Sequence, residues 1–172
     1  GHRMQAAGYE TVYHGKWHLG GSPDMYGFEK VVHDGHDATV TQEACRFWRN
    51  RDWLENRRPF FQVVSLLNPH DVYFFDPEAP LPENEPPLAP PSVVPTMRDT
   101  LEGKPFPQKH HQRLDWPAET WQRYWRWYAT CVEKVDRLID ELVNELIFSG
   151  YGPNTWIIFT ADHADSSGEH GL

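Results

Sequence analysis

Thr155-Trp156-Ile157-Ile158-Phe159 runs straight into Thr160-Ala161-Asp162-His163-Ala164-Asp165-Ser166-Ser167-Gly168-Glu169-His170-Gly171-Leu172. The first five residues are apolar or β-branched without interruption, and they predict a buried strand. Behind them Asp162, His163, Asp165, Glu169 and His170 place five metal-competent side chains within nine residues. Carboxylates and imidazoles at the carboxyl end of a core strand mark the place where open α/β sheets bind ligands. Oxygen and nitrogen donors there suit a divalent cation. Asp162 and His163 would face opposite ways on a regular strand. At its frayed end the backbone can bend both toward one ion. The plainer alternative is an acidic turn leading into a helix N-terminus.

Two upstream stretches repeat the pattern of strand and polar loop. Tyr9-Glu10-Thr11-Val12-Tyr13 alternates and is β-rich, with Gly8 before it and Gly15 after it, so it predicts a short strand. The loop that follows, His14-Gly15-Lys16-Trp17-His18-Leu19-Gly20-Gly21, carries three ionisable side chains among glycines. Glycine lets the backbone approach a ligand closely. A lysine ammonium is a compact charge suited to a sulfate or phosphate oxygen, and an imidazole is the side chain that exchanges protons near neutral pH. An ordinary polar surface turn would look the same from these residues alone. Phe60-Phe61-Gln62-Val63-Val64-Ser65-Leu66 is the third strand candidate, and it enters Asn68-Pro69-His70-Asp71. Such a turn often carries Asn, Pro and Asp for backbone reasons; His70 is the side chain in it that can meet a substrate.

Between these strands the sequence predicts helices. Residues 40–56 show apolar positions at Ala44, Phe47, Trp48 and Leu54, with Pro59 as the stop. Trp121, Tyr124, Trp125, Tyr128, Cys131, Val135, Leu138, Leu142 and Leu146 recur every three to four residues and predict one long amphipathic helix. Asp115 and Pro117 would start it, and Gly150 and Gly152 would end it. Eight of the fifteen prolines fall between Asp76 and Pro95, which excludes a regular helix or central strand there. That segment reads as an extended excursion over the surface. The fold class is therefore α/β, with helices between the later strands and the chemistry gathered at one edge of the sheet.

Composition narrows the function. The 172 residues suffice for one domain with a core. Sixteen basic against 25 acidic residues give a net charge of −9, and no basic face of the kind a nucleic-acid duplex demands is visible. Screening over roughly 8–10 Å lets a local cation attract an anionic substrate in spite of that charge. No stretch of 18 apolar residues exists, so no membrane span is expected. Gly1-His2-Arg3-Met4-Gln5-Ala6-Ala7-Gly8 lacks the apolar core of a signal peptide and resembles a helix entered partway. The compartment stays open between periplasmic, secreted and cytoplasmic. Cys45 and Cys131 lie in helical patterns and read as small apolar packing residues.

Three of these stretches, in this order, resemble the sulfatases. Gly8 through Gly20, with Gly15-Lys16-Trp17-His18-Leu19-Gly20, is similar to the second sulfatase signature. Asn68-Pro69-His70-Asp71 resembles the family's substrate-histidine turn. Residues 160–172 resemble the S/T-D-H-G-D-x-x-G-E-H-G-L segment of bacterial sulfatases and related phosphonate monoester hydrolases. The resemblance implies an alkaline-phosphatase-like sandwich, with a central mixed, mostly parallel sheet flanked by helices, and hydrolysis of sulfate monoesters on a small molecule or a sulfated glycan. It implies a formylglycine nucleophile and a divalent metal, calcium by preference, with magnesium or manganese as alternatives. Carried over by position, Asp162 and His163 would be metal ligands. Lys16 would hold the sulfate and the nucleophile. His18 would contact the formylglycine and act as a base in expelling sulfate. His70 would touch the sulfate and help protonate the leaving alcohol.

The departures from the family carry expectations of their own. The C-x-P/A-x-R nucleophile motif is expected upstream of this chain. Cys45-Arg46-Phe47-Trp48-Arg49 has the spacing but carries Phe47 at the middle position and sits in a helical pattern, so it is rejected. The paired N-terminal aspartates are also absent, and Ala164 replaces a glycine. Residues 1–172 are accordingly expected to be part of a single sulfatase N-terminal catalytic domain, truncated at both ends and inactive alone. A phosphonate or phosphate ester hydrolase and a non-catalytic binder of anionic glycans remain the alternatives.

Overall fold

The computed structural model describes residues 1–32, 35–53, 58–79, 94–110 and 113–172. The described chain divides into two compact units, Gly1–Asp71 with Val132–Trp156, and Val72–Cys131 with Ile157–Leu172.

The first unit is built on a three-stranded sheet of β1 (Glu10–Gly15), β2 (Lys30–Val32) and β3 (Phe60–Ser65), in the order β2-β1-β3. Both pairings are parallel, with Glu10 opposite Phe60 and Gly15 opposite Ser65. Alternation sorts the side chains onto two faces. One face meets α2 (Asp37–Arg49): Ala44, Cys45 and Trp48 pack with Leu142 and Leu146, and Phe60 and Val64 join them. The other face carries Tyr13, Phe28 and Phe61 in a run of edge-on and stacked rings. Every residue of β1 is buried, as expected of a central parallel strand.

Arg51 and Glu10 form an ion pair in which both side chains are buried. The Arg51 guanidinium donates to the Glu10 carboxylate and lies over the Phe47 and Phe60 rings, 4.9 and 5.1 Å from their centroids. Lys30 also bonds Glu10. Burial pushes the Glu10 carboxyl up, but hydrogen bonds and charge from Lys30 and Arg51 outweigh it and leave the group below the usual range.

The long helix α4 spans Ala118–Phe148, and it follows α1 (His2–Ala6), α2 and α3 (Phe106–His110) in chain order. Trp121, Tyr124, Trp125, Cys131, Leu142 and Leu146 are its buried positions, which is the expected 3.6-residue stripe. Gly150, at φ +80°, supplies the left-handed residue that ends it. In the second unit, Val72, Trp121, Tyr124 and Trp125 form the core, with Phe75, Met97 and Trp116 packed around them.

Two expectations change. The helix at 40–56 starts earlier and ends at Arg49, giving way to a 3-10 turn at Asn50–Trp53; Leu54 lies outside the described residues. So do residues 80–93, which hold most of the proline-rich excursion. The apolar run 155–159 forms no strand and is not buried: Trp156 is 95% exposed, Ile158 85% and Phe159 77%. A strand exists through its ladder partners, and among the described residues no strand pairs with this run. The sequence also hid β2, whose three residues carry no detectable period.

Candidate active site

The parallel pairing of β1 and β3 places one group of candidate residues, all within the first unit. Their carboxyl ends are aligned at Gly15 and Ser65, so the Lys16–His18 loop and the His70 turn leave the same edge of the sheet from adjacent strands. Gly15 makes that alignment feasible. Its φ is +100°, and a Cβ there would lie 2.0 Å from the Ser65 carbonyl oxygen, so no L side chain fits. Lys16 donates its N–H to the Ser65 carbonyl at 3.0 Å, and its own carbonyl accepts the Tyr13 hydroxyl. Its side chain is half-buried, whereas His18 is exposed. Trp17 is wedged edge-on to Tyr13 and tilted against Tyr26, with centroids 5.1 and 5.0 Å away. It therefore braces the loop.

His70 is exposed at the start of a 3-10 turn, His70–Phe74. The turn is held by Asp37, at the first position of α2. That carboxylate accepts the N–H of Leu67, the N–H of Asn68 at 3.0 Å and the Asn68 side-chain amide at 3.0 Å. Asn68 then donates to Asp71 at 2.9 Å and accepts the Asp71 N–H at 3.2 Å. The Asn68–Pro69 peptide is cis. Asp37 is a residue the sequence reading missed. The available signal was an acid opening a helix, which is too common to stand out.

His14 lies one position inside the edge and is no part of the exposed chemistry. It is 2% exposed, and burial holds its imidazole down at about 4. Its Nδ1 pairs with Gln62 Nε2 at 3.2 Å. Cys45 is buried in α2, and burial, followed by Glu141 and Glu145, raises its thiol to about 11. This environment suits packing and opposes nucleophilic use.

In the second unit Asp162 and His163 stand together and exposed, each side chain at 80%. Asp162 Oδ1 accepts the His163 N–H at 2.9 Å, and Oδ2 lies 3.7 Å from His163 Nε2. A carboxylate and an imidazole side by side fit a divalent cation as two ligands of a larger set. Among the described residues no cluster of three or more His, Cys, Asp or Glu is arranged to hold a metal. Asp165 faces differently: its Oδ1 accepts the Tyr124 hydroxyl at 2.6 Å and the Ser167 N–H at 2.7 Å. Ala164 does not adopt a positive φ; the left-handed residues lie further on, at Ser167, Gly168, His170 and Gly171. The missing glycine therefore costs nothing at that position. A pocket of about 420 Å³ opens beside the segment, bounded by Trp125, Val94, Asp165, Ser166 and Glu169.

The sequence model of the sulfatase family matches residues 2–172. This chain belongs to the sulfatase family. It is similar to a choline-sulfatase of Rhizobium meliloti, 25% identical across 99% of this chain and 43% of the relative. It is also similar to a Δ4,5-hexuronate-2-O-sulfatase of Bacteroides thetaiotaomicron, 23% identical across 100% of this chain and 40% of that protein. The solved structure of a 2-O GAG sulfatase shares the fold at a TM-score of 0.69, with 22% identity over 96% of this chain and 40% of its own. The α/β, alkaline-phosphatase-like fold is thus shown, as a partial domain. The chain spans about two-fifths of the length of the curated relatives it matches. No helix among the described residues is long and apolar enough to cross a membrane.

Proposed function

We propose that this chain is part of a single catalytic domain that hydrolyses sulfate monoesters, ROSO₃⁻ and water giving ROH and hydrogen sulfate. The observation that carries the reading is the pairing of the Lys16–His18 loop and the His70 turn on adjacent parallel strands at one sheet edge, in a member of the sulfatase family. Lys16 Nζ brings fixed positive charge to the sulfate oxygens, where negative charge grows as the ester bond breaks. His70 hydrogen-bonds the ester and hands a proton to the departing alcohol oxygen. His18 holds and accepts a proton at the nucleophile.

Asp162 and His163 would hold a divalent cation, calcium by preference, which when bound draws charge from the sulfate oxygens. A formylglycine contributed from outside these residues would supply the nucleophilic hydroxyl. Residues 1–172 alone are then expected to be inactive. The substrate is a sulfated small molecule or a sulfated glycan.

The test uses the protein with its complete catalytic domain and an aryl sulfate. Lys16→Ala should lower kcat/KM by roughly 10²–10³-fold, the scale of losing one charge-stabilising donor, with His70→Ala close behind. A Lys16→Ala rate within threefold of the unsubstituted enzyme would refute the assignment. Faster turnover of the matching aryl phosphonate would move the reading to a phosphonate ester hydrolase. No turnover of either ester, with the anion still bound, would make the protein a binder.

A further inference from the structure

The segment after Asp162 and His163 is fastened at several points within the second unit. Asp165 Oδ1 serves three donors, the Tyr124 hydroxyl at 2.6 Å, the Ser167 N–H at 2.7 Å and the Ser167 hydroxyl at 3.1 Å. Trp125, the next residue of α4, donates its indole N–H to the Ser167 carbonyl at 2.8 Å. Gly168, at φ +92°, sits so close that a Cβ would lie 3.2 Å from the Trp121 ring. His170 N–H reaches the Thr96 carbonyl at 3.1 Å, and Leu114 N–H reaches the Gly171 carbonyl at 2.7 Å. Fastening begins at Asp165, two residues past a pair of side chains that are 80% exposed. Tyr124 is itself buried in the aromatic core between Trp121 and Trp125, so its hydroxyl is a fixed point.

We propose that Asp165 is a positioning residue: anchored by Tyr124, it sets the point from which Asp162 and His163 project toward a cation, and it is not a ligand itself. This rests on the reading of Asp162 and His163 as cation ligands. The physical basis is that two exposed side chains bind an ion well only when the backbone bearing them is already ordered. Burial first, and then the hydrogen bond to Asp165, raise the Tyr124 phenol far above the usual tyrosine range and keep it a donor.

The test compares Tyr124→Phe, Asp165→Ala and Asp165→Asn with the unsubstituted protein, all with the complete catalytic domain and below the unfolding temperature of every variant. Mn²⁺ affinity is measured by titration calorimetry, and amide hydrogen exchange is followed across residues 161–167. Tyr124→Phe and Asp165→Ala should weaken Mn²⁺ binding about tenfold, at the lower end of what outer-shell changes cost, and speed exchange across 161–167. Asp165→Asn keeps an acceptor oxygen for Tyr124 and Ser167 and should stay within about threefold, in line with a neutral acceptor sufficing for these bonds. Equal loss in Asp165→Asn and Asp165→Ala would overturn the proposal in favour of direct ligation. Unchanged affinity in Tyr124→Phe and Asp165→Ala would overturn it outright. If the unsubstituted protein binds no Mn²⁺, the ligand reading of Asp162 and His163 falls. The anchoring is then judged by exchange alone: faster exchange in Tyr124→Phe supports it and unchanged exchange refutes it.

Discussion

β1 and the run at 155–159 look alike as sequence. Each is a short stretch rich in β-branched and aromatic residues, and each leads into ionisable side chains. In the structure they part company. All six residues of β1 are buried between β2 and β3, whereas Trp156, Ile158 and Phe159 are exposed at 95, 85 and 77%. The difference lies in their neighbours. β1 has a ladder on both sides and α2 over one face; the run at 155–159 has no ladder among the described residues. Apolar pattern therefore records which segments gain from burial, while burial itself is a property of what lies alongside.

Substitutions can break or sharpen that contrast. The largest effect is expected beside β1. Arg51→Ala leaves Glu10 buried with Lys30 as its remaining cation, and it should cost about 3–5 kcal/mol of stability, the usual loss when one partner of a buried pair is removed. Urea unfolding would check this. A loss below about 1 kcal/mol, the surface-pair range, would mean that water reaches Glu10 and that β1 is less enclosed than described.

Next is a pH effect. His14 titrates at about 4 when folded against 6.5 as its ordinary value. Between those values the unfolded chain binds a proton that the folded chain refuses, so stability falls as pH drops from 6.5 to 4 and is fully present above 6.5. The loss should approach about 3 kcal/mol, the free-energy equivalent of that difference, and His14→Gln should flatten the curve in this window. An equally steep fall in His14→Gln would assign the effect to another group.

The smallest effects carry the comparison itself. Val12→Ala, inside β1 at 1% exposure, should cost about 2 kcal/mol as a buried truncation. Ile158→Ala should change stability by less than about 0.5 kcal/mol, as surface changes do. Equal costs at the two positions would show that the run is packed in solution.

Much of the fold is legible because its signals are local. The repeat of Trp121, Tyr124, Trp125 and Leu142 is the face of α4, and Gly150 supplies its stop. The Gly8 and Gly15 boundaries bracket β1 to within two residues. What was hidden depends on distant partners. β2 is three residues whose strand character comes entirely from pairing with β1. Asp37 looks like a helix-opening acid, and its hold on Leu67 and Asn68, some thirty residues later, belongs to the tertiary structure. Asp165 is one of the five metal-competent residues, and its bond to Tyr124, 41 positions upstream, belongs to the tertiary structure. The exposed pair Asp162 and His163, by contrast, is adjacent in the chain and was visible at once.

Gly15 has a consequence for how this protein can change. The atom that a side chain would need there is already occupied by the Ser65 carbonyl, and the very next amide is bonded to that same oxygen. The arm carrying Lys16 is therefore soldered to its neighbour and offers evolution no adjustable joint. Any drift in what this edge of the sheet accepts has to come from further along, where Leu19 and Met25 are exposed and unconstrained by that seam. Directed libraries should be aimed at those positions.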